Sequence, residues 1–326
     1  MVGMLKFYIS NCVNPYINLA TEKYLFDRVE DDSCILYLWQ NQNTVVIGKN
    51  QNALVECRTE LLREEGGMLA RRLSGGGAVF HDLGNLNFTF LCSAENFDIG
   101  RHMRVIKEAC ALAGIDAEIS GRNDILTNGK KFSGNAFYHS SGHSYHHGTL
   151  LICADMDKMQ RYLTPPSAKL VAKGIKSVKS RVVNLAELSP GLTCEAMKDY
   201  LLSAFQAVYG MPLFSYTDID EDKISAITDQ YSSPDYIYGS PFPFDISIQG
   251  QLSLGNVELQ IRVEHDIIHG IQVYTDALDE TLPQKIKLAL MGVPFKIDSM
   301  SYALSQSQSA ELTKELTALI KQQVFD

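Results

Sequence analysis

Short apolar runs separated by polar turns recur through the first half of the chain. Such runs, bounded by Gly, Asn, Asp or Pro, are typical of strands. The pair Asn128-Gly129 separates two of them and is a strong hairpin signal. The runs predict strands at residues 34–39, 44–47, 68–73, 87–92, 124–127, 131–138 and 147–153.

Apolar positions at helical spacing predict helices between and after these strands. Asn18 is a candidate N-cap for the first helix, and Gly66-Gly67 and Gly114 are expected to end two others. The predicted helices cover residues 18–31, 52–65, 101–113, 194–209 and 220–231. Strands therefore dominate the middle of this region, with helices interspersed.

Residues 232–243 are rich in proline and serine, and we place a domain boundary there. The predicted units are residues 1–243 and 244–326, and the second lies within the ordinary domain size range. Strand-like runs at 244–248, 256–263 and 267–274 and helical runs at 280–290 and 310–323 predict a small α+β unit. The same boundary suggests the hypothesis that this unit hinges on the first.

The composition is that of a globular protein: 326 residues, 45% hydrophobic and 21% charged. No apolar run reaches the roughly 20 residues needed to cross a bilayer, and the start does not resemble a signal peptide. We therefore expect a cytoplasmic protein that does not bind membranes. A net charge of −9 disfavours general nucleic-acid binding.

The seven cysteines include no Cys-x-x-Cys pair, which disfavours zinc and redox motifs. Cys92 and Cys153 lie in apolar runs and are expected to be buried. A reducing compartment fits this cysteine usage best.

A basic stretch interrupts the acidic background. Residues 158–186 contain seven Lys and Arg and no Asp or Glu. Such a segment can steer an anionic ligand or an acidic partner, although a solvated face is the simpler interpretation. Because residues 165–191 also read as irregular, we expect a mobile loop there that closes over a ligand.

Three consecutive glycines, Gly75, Gly76 and Gly77, follow Arg71-Arg72-Leu73-Ser74 and precede Ala78-Val79-Phe80-His81-Asp82. Glycine lets a backbone approach a ligand closely, and consecutive N–H groups can form an anion-binding concavity. Arginine binds carboxylate or phosphate oxygens with a bidentate fork. The combination favours a site for an activated acid phosphate over an ordinary hairpin loop.

A second group of polar residues surrounds the predicted hairpin. Asn123-Asp124 precedes the turn, and Lys131 to Ala136 follows it. Strand alternation places Lys131 and Ser133 on one face. This lysine is a candidate charge stabiliser or amine nucleophile, and the alternative is an exposed strand lysine.

Four histidines, His139, His143, His146 and His147, lie within nine residues. No carboxylate or cysteine accompanies them, which disfavours a metal site. Gly148 breaks the start of an apolar strand directly after His147, and a glycine there often marks close approach of a ligand.

Together these segments resemble the lipoate–protein ligase family. The resemblance rests on four motifs: Arg-Arg-x-Ser-Gly-Gly-Gly-Ala-Val-x-His-Asp-x-Gly-Asn-x-Asn-Phe at 71–88, Gly-Arg-Asn-Asp at 121–124, Lys-Phe-Ser-Gly-Asn-Ala at 131–136 and His-Gly-Thr-Leu-Leu at 147–151. Residues 177–182 also look like that family, and the unit after about residue 245 resembles the accessory domain of its bacterial members. The implied fold is α+β: a mixed sheet with flanking helices, similar to the biotin ligase catalytic domain, plus a small C-terminal α+β domain.

The resemblance implies a two-step reaction with ATP, Mg²⁺ and lipoate (or octanoate). Lipoate attacks the α-phosphate to give lipoyl-AMP, and a lysine of a carrier domain then accepts the acyl group. The implied acceptors are a dehydrogenase E2 subunit or a glycine-cleavage H protein.

The implied catalytic residues are Lys131, which would act as a cation on the acyl oxygen and α-phosphate, and Arg72. Asp124 is the candidate Mg²⁺ ligand. Phe80, Phe88, Phe132 and Phe137 are candidates for an apolar tunnel, or for core packing. The implied substrate- and nucleotide-binding residues are Arg72, Ser74, Gly75, Gly76, Gly77, Ala78, Val79, His81, Asn85, Asn123, Lys131, Ser133, Gly134, Ala136, His147, Gly148 and Thr149.

Three other functions share features of this pattern. An octanoyl or lipoyl transferase of the same superfamily would use a cysteine nucleophile and no ATP. A biotin ligase would carry an arginine-interrupted glycine motif instead of Ser-Gly-Gly-Gly. A non-catalytic lipoate- or carrier-binding protein would have lost one of the steps.

Overall fold

The computed structural model describes residues 2–121, 124–164 and 182–325. Its strands are β1 Met4–Ile9, β2 Ser33–Trp39, β3 Thr44–Ile47, β4 Met68–Arg71, β5 Val79–His81, β6 Asn85–Ser93, β7 Glu118–Ser120, β8 Asp124–Thr127, β9 Lys130–Ser140, β10 His143–Leu151, β11 Leu213–Ser215, β12 Ile246–Leu252, β13 Gly255–Glu264 and β14 Ile267–Thr275. Its α-helices are α1 Pro15–Phe26, α2 Ala53–Glu56, α3 Thr59–Glu64, α4 Ile99–Leu112, α5 Met156–Tyr162, α6 Cys194–Tyr209, α7 Glu221–Ser232, α8 Pro234–Tyr238, α9 Leu282–Leu290, α10 Ile297–Ser305 and α11 Ala310–Ile320.

An eight-stranded mixed sheet in the order β11-β1-β2-β6-β10-β9-β8-β7 forms the centre of the first unit. The pairs β11–β1 and β1–β2 are parallel, and the remaining pairs are antiparallel. Between β8 and β9, Asn128 and Gly129 both have positive φ, 50° and 72°. This left-handed pair is what a tight hairpin turn requires, so the predicted hairpin is confirmed.

A smaller sheet of β4, β3 and β5 lies beside the large one, with β3–β4 parallel and β3–β5 antiparallel. Its first and last strands enter and leave the glycine motif. The strand order therefore holds Arg71 and Val79 on either side of the same central strand.

The C-terminal residues build a separate three-stranded antiparallel sheet, β12-β13-β14. Helices α9, α10 and α11 pack on it around a core that contains Leu259, Ile286 and Leu316, each 0% exposed. The α+β class, the mixed sheet with flanking helices and the small α+β unit are confirmed; the boundary at 243 stays a prediction. No helix in the described ranges is long and apolar enough to cross a membrane.

Several predicted elements have different bounds. The first helix begins at Pro15 and is capped by Asn14, whose side chain accepts from the backbone N–H of Tyr16. Asn18 is fully buried instead, and its amide donates to the carbonyls of Cys12 and Gln40. The single helix predicted at 52–65 is two short helices, since Cys57 takes an extended conformation between them.

Several short elements escaped the sequence analysis: β1, β5, β7, β11, α5, α8 and α10. Most of them have three to seven residues. A run of that length shows little periodicity, and its conformation is set by the neighbour it pairs or packs with.

Candidate active site

The glycine loop, residues 74–79, wraps around the side chain of Arg72. Nη2 of Arg72 donates to the carbonyls of Gly75 and Gly77, each at 2.8 Å, and Nε donates to Oγ of Ser74 at 3.0 Å. Gly76 turns the chain between them with a φ of 92°, a value that L side chains rarely adopt. Burial lowers the pKa of Arg72 to about 10, which leaves the guanidinium charged at neutral pH. The loop is therefore organised around a fixed positive charge.

The C-terminal unit contacts the same loop through its backbone. The N–H of Gly76 donates to the carbonyl of Ala277 at 3.1 Å. A Cβ on Gly75 would lie 2.4 Å from that carbonyl oxygen and 2.7 Å from the carbonyl oxygen of Leu278. Nearby, the N–H of Thr275 donates to the carbonyl of Asn50 at 2.9 Å. The sequence analysis assigned the loop N–H groups to a nucleotide, whereas here the one on Gly76 is already bonded.

A first cavity opens beside the glycine loop. Three apolar side chains, Leu19, Trp39 and Val46, form part of its lining, and other walls come from the glycine loop and from strands β9 and β10. The complete lining is Leu19, Trp39, Val46, Arg72, Gly76, Gly77, Ala78, Val79, His81, Asn87, Lys131, Gly134, Asn135, Ala136, His147, Gly148 and Thr149.

A second cavity shares a wall with the first. Both are lined by Ala78, Val79, Lys131, Gly134 and Thr149. The second cavity adds the polar side chains of Asn85 and Ser133 and a set of apolar side chains. These are Phe80, Phe132, Leu151, Met159, Leu163 and Val182. Lys131 therefore stands where the two cavities meet.

Lys131 forms an ion pair with Asp124. Its Nζ lies 2.7 Å from Oδ1 of Asp124, and the two side chains are 37% and 38% exposed. The β8–β9 hairpin brings them together, and Val182 pairs with the backbone of Lys131 as the chain re-enters the described region. The candidate metal ligand is thus already the counter-ion of the candidate catalytic cation.

Buried polar atoms without a hydrogen-bond partner border both cavities. Within the described residues they include Nε2 of His81, Oδ1 of Asn85 and Nδ2 of Asn87. Unpaired buried polar groups are costly in a folded protein, so their position favours a ligand that supplies the missing partner. Burial, Arg72 and His147 lower the pKa of His81 to about 3, so this ring is neutral.

Most of the predicted binding residues lie around these cavities. Two of the others, Ser74 and Gly75, line neither cavity and form the part of the loop next to Arg72. Asn123 and the basic residues 169–181 lie outside the described residues. Of the predicted tunnel residues, Phe80 and Phe132 line the second cavity, while Phe88 is core. The sequence analysis did not identify Leu19, Trp39, Val46, Asn87 and Asn135.

All seven cysteines lie among the described residues, and none of them is in the described lining of either cavity. The prediction that Cys153 is buried is wrong, because β10 ends at Leu151 and leaves the Cys153 side chain exposed. Cys92 is buried as expected. Burial raises the pKa of the Cys57, Cys110 and Cys194 thiols to about 12, so these cysteines are poor nucleophiles.

Comparison with known families agrees with this site. Residues 14–206 match the lipoyl protein ligase A/B catalytic domain, and residues 242–324 match the bacterial lipoate protein ligase C-terminus. The chain belongs to the lipoate–protein ligase family. The lipoate-protein ligase A of Psychrobacter cryohalolentis is 39% identical over 89% of each chain. That of Bdellovibrio bacteriovorus is 37% identical over 92% of this chain and 91% of its own.

Solved ligase structures have the same fold. The P. falciparum LipL1 complex with lipoate aligns with a TM-score of 0.84 at 28% identity, over 98% of this chain and all of its own. A lipoate-protein ligase A bound with ATP aligns at 0.63 and 25% identity, over 73% of this chain and 99% of its own. The bi-partite ligase of an archaeal lipoylation system from Thermoplasma acidophilum, described with its E2 lipoyl domain, aligns at 0.64 and 26% identity over 76% of this chain and all of its own.

Proposed function

We propose that this protein is an ATP-dependent lipoate–protein ligase. It activates lipoate as lipoyl-AMP and transfers the acyl group to a lysine of a carrier domain. The observation that carries the proposal is the position of Lys131, which lines both cavities at their shared wall. A reaction that joins an acid to a nucleotide phosphate needs one cation within reach of both.

The first cavity suits the acyl group. Its wall combines the apolar side chains of Leu19, Trp39 and Val46 with the charged Arg72. An apolar chain with a terminal carboxylate matches that polarity, because burial of apolar surface supplies affinity and a fixed cation orients the acid. The second cavity, with Asn85, Ser133 and Thr149 on its walls, would hold the nucleoside.

In the first step a carboxylate oxygen of lipoate attacks the α-phosphorus of ATP. The bond between that phosphorus and the bridging oxygen of pyrophosphate breaks, which leaves lipoyl-AMP. Lys131 would stabilise the charge that develops on the phosphoryl oxygens. In the second step the acceptor amine attacks the acyl carbon, loses a proton and expels AMP, and the same cation would stabilise the acyl oxygen.

Magnesium fits the donors at this place. Asp124 offers a partly exposed carboxylate, and hard cations favour one or two such oxygens together with substrate phosphates. When bound with the nucleotide, the ion supplies charge neutralisation to the phosphates. Asp124 is the residue that would hold it.

The transferase alternative lacks its nucleophile at this site, since no cysteine is in the described lining of either cavity. The identity of the protein that accepts the lipoyl group is a separate part of the proposal. We infer a lipoyl carrier domain, either an E2 subunit or a glycine-cleavage H protein. The T. acidophilum ligase described with its E2 lipoyl domain supports the first of these.

The deciding experiment is lipoate-dependent exchange of labelled pyrophosphate into ATP, without an acceptor protein. The proposal expects exchange that requires lipoate, followed by formation of a lipoyl amide when a carrier domain is added. A folded protein that shows no exchange but accumulates an acyl thioester would contradict it and favour the transferase.

A further inference from the structure

A series of buried hydrogen bonds joins Trp39, in the wall of the first cavity, to the glycine loop. The indole Nε1 of Trp39 donates to Oγ1 of Thr89 at 3.1 Å. The Thr89 hydroxyl donates to Oε1 of Glu22 at 2.7 Å. Nδ1 of His147 lies 2.9 Å from the same carboxylate oxygen. One carboxylate oxygen of Glu22 therefore has two hydrogen-bond partners, Thr89 and His147.

The series of hydrogen bonds continues from the other ring nitrogen of His147. Nε2 of His147 lies 2.7 Å from Oγ of Ser74, and that oxygen accepts from Nε of Arg72 at 3.0 Å. Glu22 is 2% exposed, and Thr89 and Ser74 are fully buried. These three side chains are therefore shielded from bulk solvent.

The residues at the two ends of this series of hydrogen bonds, Trp39 and Arg72, can only donate. An indole N–H and a guanidinium N–H have no acceptor capacity, and a carboxylate only accepts. Ser74 accepts from Arg72, and its own proton can go to His147 or to the carbonyl of Gly75, 3.5 Å away. Because a carboxylate only accepts, Nδ1 of His147 donates to Glu22. The bonds from Thr89 and His147 therefore converge on one carboxylate oxygen.

Three elements bring these residues together. Thr89 and His147 are direct cross-strand partners of β6 and β10, and Glu22 reaches them from the buried face of α1. Trp39 ends β2, the other neighbour of β6. Of the six residues, Trp39, Arg72 and His147 line the first cavity. The other three connect them without facing it.

We propose that Glu22 and Thr89 are positioning residues that hold two parts of the acyl cavity in place, Trp39 in its wall and the Ser74–Arg72 pair beside the glycine loop. This inference rests on the proposed function, because it takes the first cavity as the acyl site. It predicts that the carboxylate matters as a shared acceptor: without it, two buried donors lose their partner, which is costly.

The kinetic test removes one hydroxyl. Thr89→Val keeps the side-chain shape but breaks both bonds of Thr89, and it is expected to raise the KM for lipoate about tenfold in pyrophosphate exchange. The KM for ATP should change less than about twofold. Thr89→Ser restores the hydroxyl and should recover most of the lipoate affinity. Thr44→Val is the matched control, because Thr44 is also a fully buried strand threonine, and among the described residues its hydroxyl bonds only the carbonyl of Gln42.

A spectroscopic test follows the series of hydrogen bonds without relying on activity. Trp39 is the single tryptophan of the protein, so a ¹⁵N-labelled sample gives one indole N–H signal. Glu22→Met, a change one residue removed from the indole, is expected to shift that signal and speed its exchange with solvent. Glu22→Gln can keep its amide oxygen in place of Oε1, so it should shift the signal less and retain most of the lipoate affinity.

The outcomes separate the two proposals. Absence of exchange by the unaltered protein overturns the proposed function, while the indole signal still tests the series of hydrogen bonds. If Thr89→Val matches Thr44→Val in KM, the positioning role is wrong. Equal impairment by Glu22→Gln and Glu22→Met would also overturn it, since the charge and not the shared acceptor would then matter.

Discussion

At the scale of single residues, Lys131 stands apart from its neighbour in the same strand. Lys131 lines both cavities and pairs with Asp124, whereas Lys130 is exposed to solvent. We expect Lys131→Ala to lower the rate of lipoate-dependent pyrophosphate exchange about a hundredfold or more, because a positioned charge stabiliser is lost. Transfer from preformed lipoyl-AMP to an acceptor should fall as well.

Lys130→Ala is the control for this change, and both half-reactions should keep nearly their full rates. Lys131→Arg should restore neither fully, because a planar guanidinium differs from an ammonium group in shape and in its donors. Adenylate formation at an undiminished rate by Lys131→Ala would show that the lysine has another role.

The sequence predicted a functional role for some residues of the site and not for others. Lys131, Asp124 and the glycines lie in polar motifs whose chemistry is local. Glu22 resembles any charged helix residue, and Trp39 resembles the last apolar residue of a strand. Only the three-dimensional contact with Thr89 gives these two a role, and residue spacing carries no signal of that contact.

At the scale of elements, the glycine loop depends on what lies against each glycine. A Cβ on Gly75 would lie 2.4 Å from the carbonyl oxygen of Ala277, closer than packed atoms tolerate. We expect Gly75→Ala to cost about 1–3 kcal/mol in the free energy of unfolding, as overpacking does. Amide hydrogen exchange in residues 275–280 should also accelerate, because the backbone contact opens.

Gly77→Ala is the matched control in the same loop. A Cβ there has no described heavy atom within 4 Å. Its cost should therefore remain below about 0.5 kcal/mol, as for most surface substitutions. Equal destabilisation by the two changes would mean that the segment at 277–278 does not constrain the loop.

The elements themselves were predictable where the pattern is local. The turn at Asn128-Gly129 and the helix Cys194–Tyr209 lie where they were predicted, because turn chemistry and long periodicity depend on residues adjacent in sequence. The strand Val79–His81 was missed, since three residues beside a glycine run show no alternation and pair only because β3 lies next to them.

At the scale of the whole molecule, buried histidines make stability depend on pH. Burial lowers the pKa of His81 and of His102 to about 3, and that of His146 well below its usual range. Each unfolded histidine binds a proton near pH 6.5, before the folded one does. The free energy of unfolding is therefore expected to decrease as pH falls from about 6.5 toward 3.

His102 offers the clearest test. It stacks on Phe90 with ring centroids 4.5 Å apart, and within the described residues neither ring nitrogen has a hydrogen-bond partner. His102→Leu should reduce the pH slope by about 1 kcal/mol per unit between pH 6 and 5. Urea unfolding at both values measures this. An unchanged slope would show that His102 does not titrate differently in the folded and unfolded protein.

The arrangement of the two units was beyond the sequence. The boundary at 243 stays a prediction from the Pro- and Ser-rich stretch, and the C-terminal residues have a hydrophobic core of their own around Leu259. Nothing in the residues near 277 indicates that their carbonyls lie on a loop two hundred positions earlier. Such contacts are made by backbone atoms, which every residue type shares.

The ion pair of Lys131 and Asp124 has a last consequence. In the absence of substrate, a carboxylate of the protein itself balances the charge of this lysine. Under the proposed function, we therefore expect substrate binding to exchange one counter-ion for another, with a substrate oxygen taking the place of Asp124.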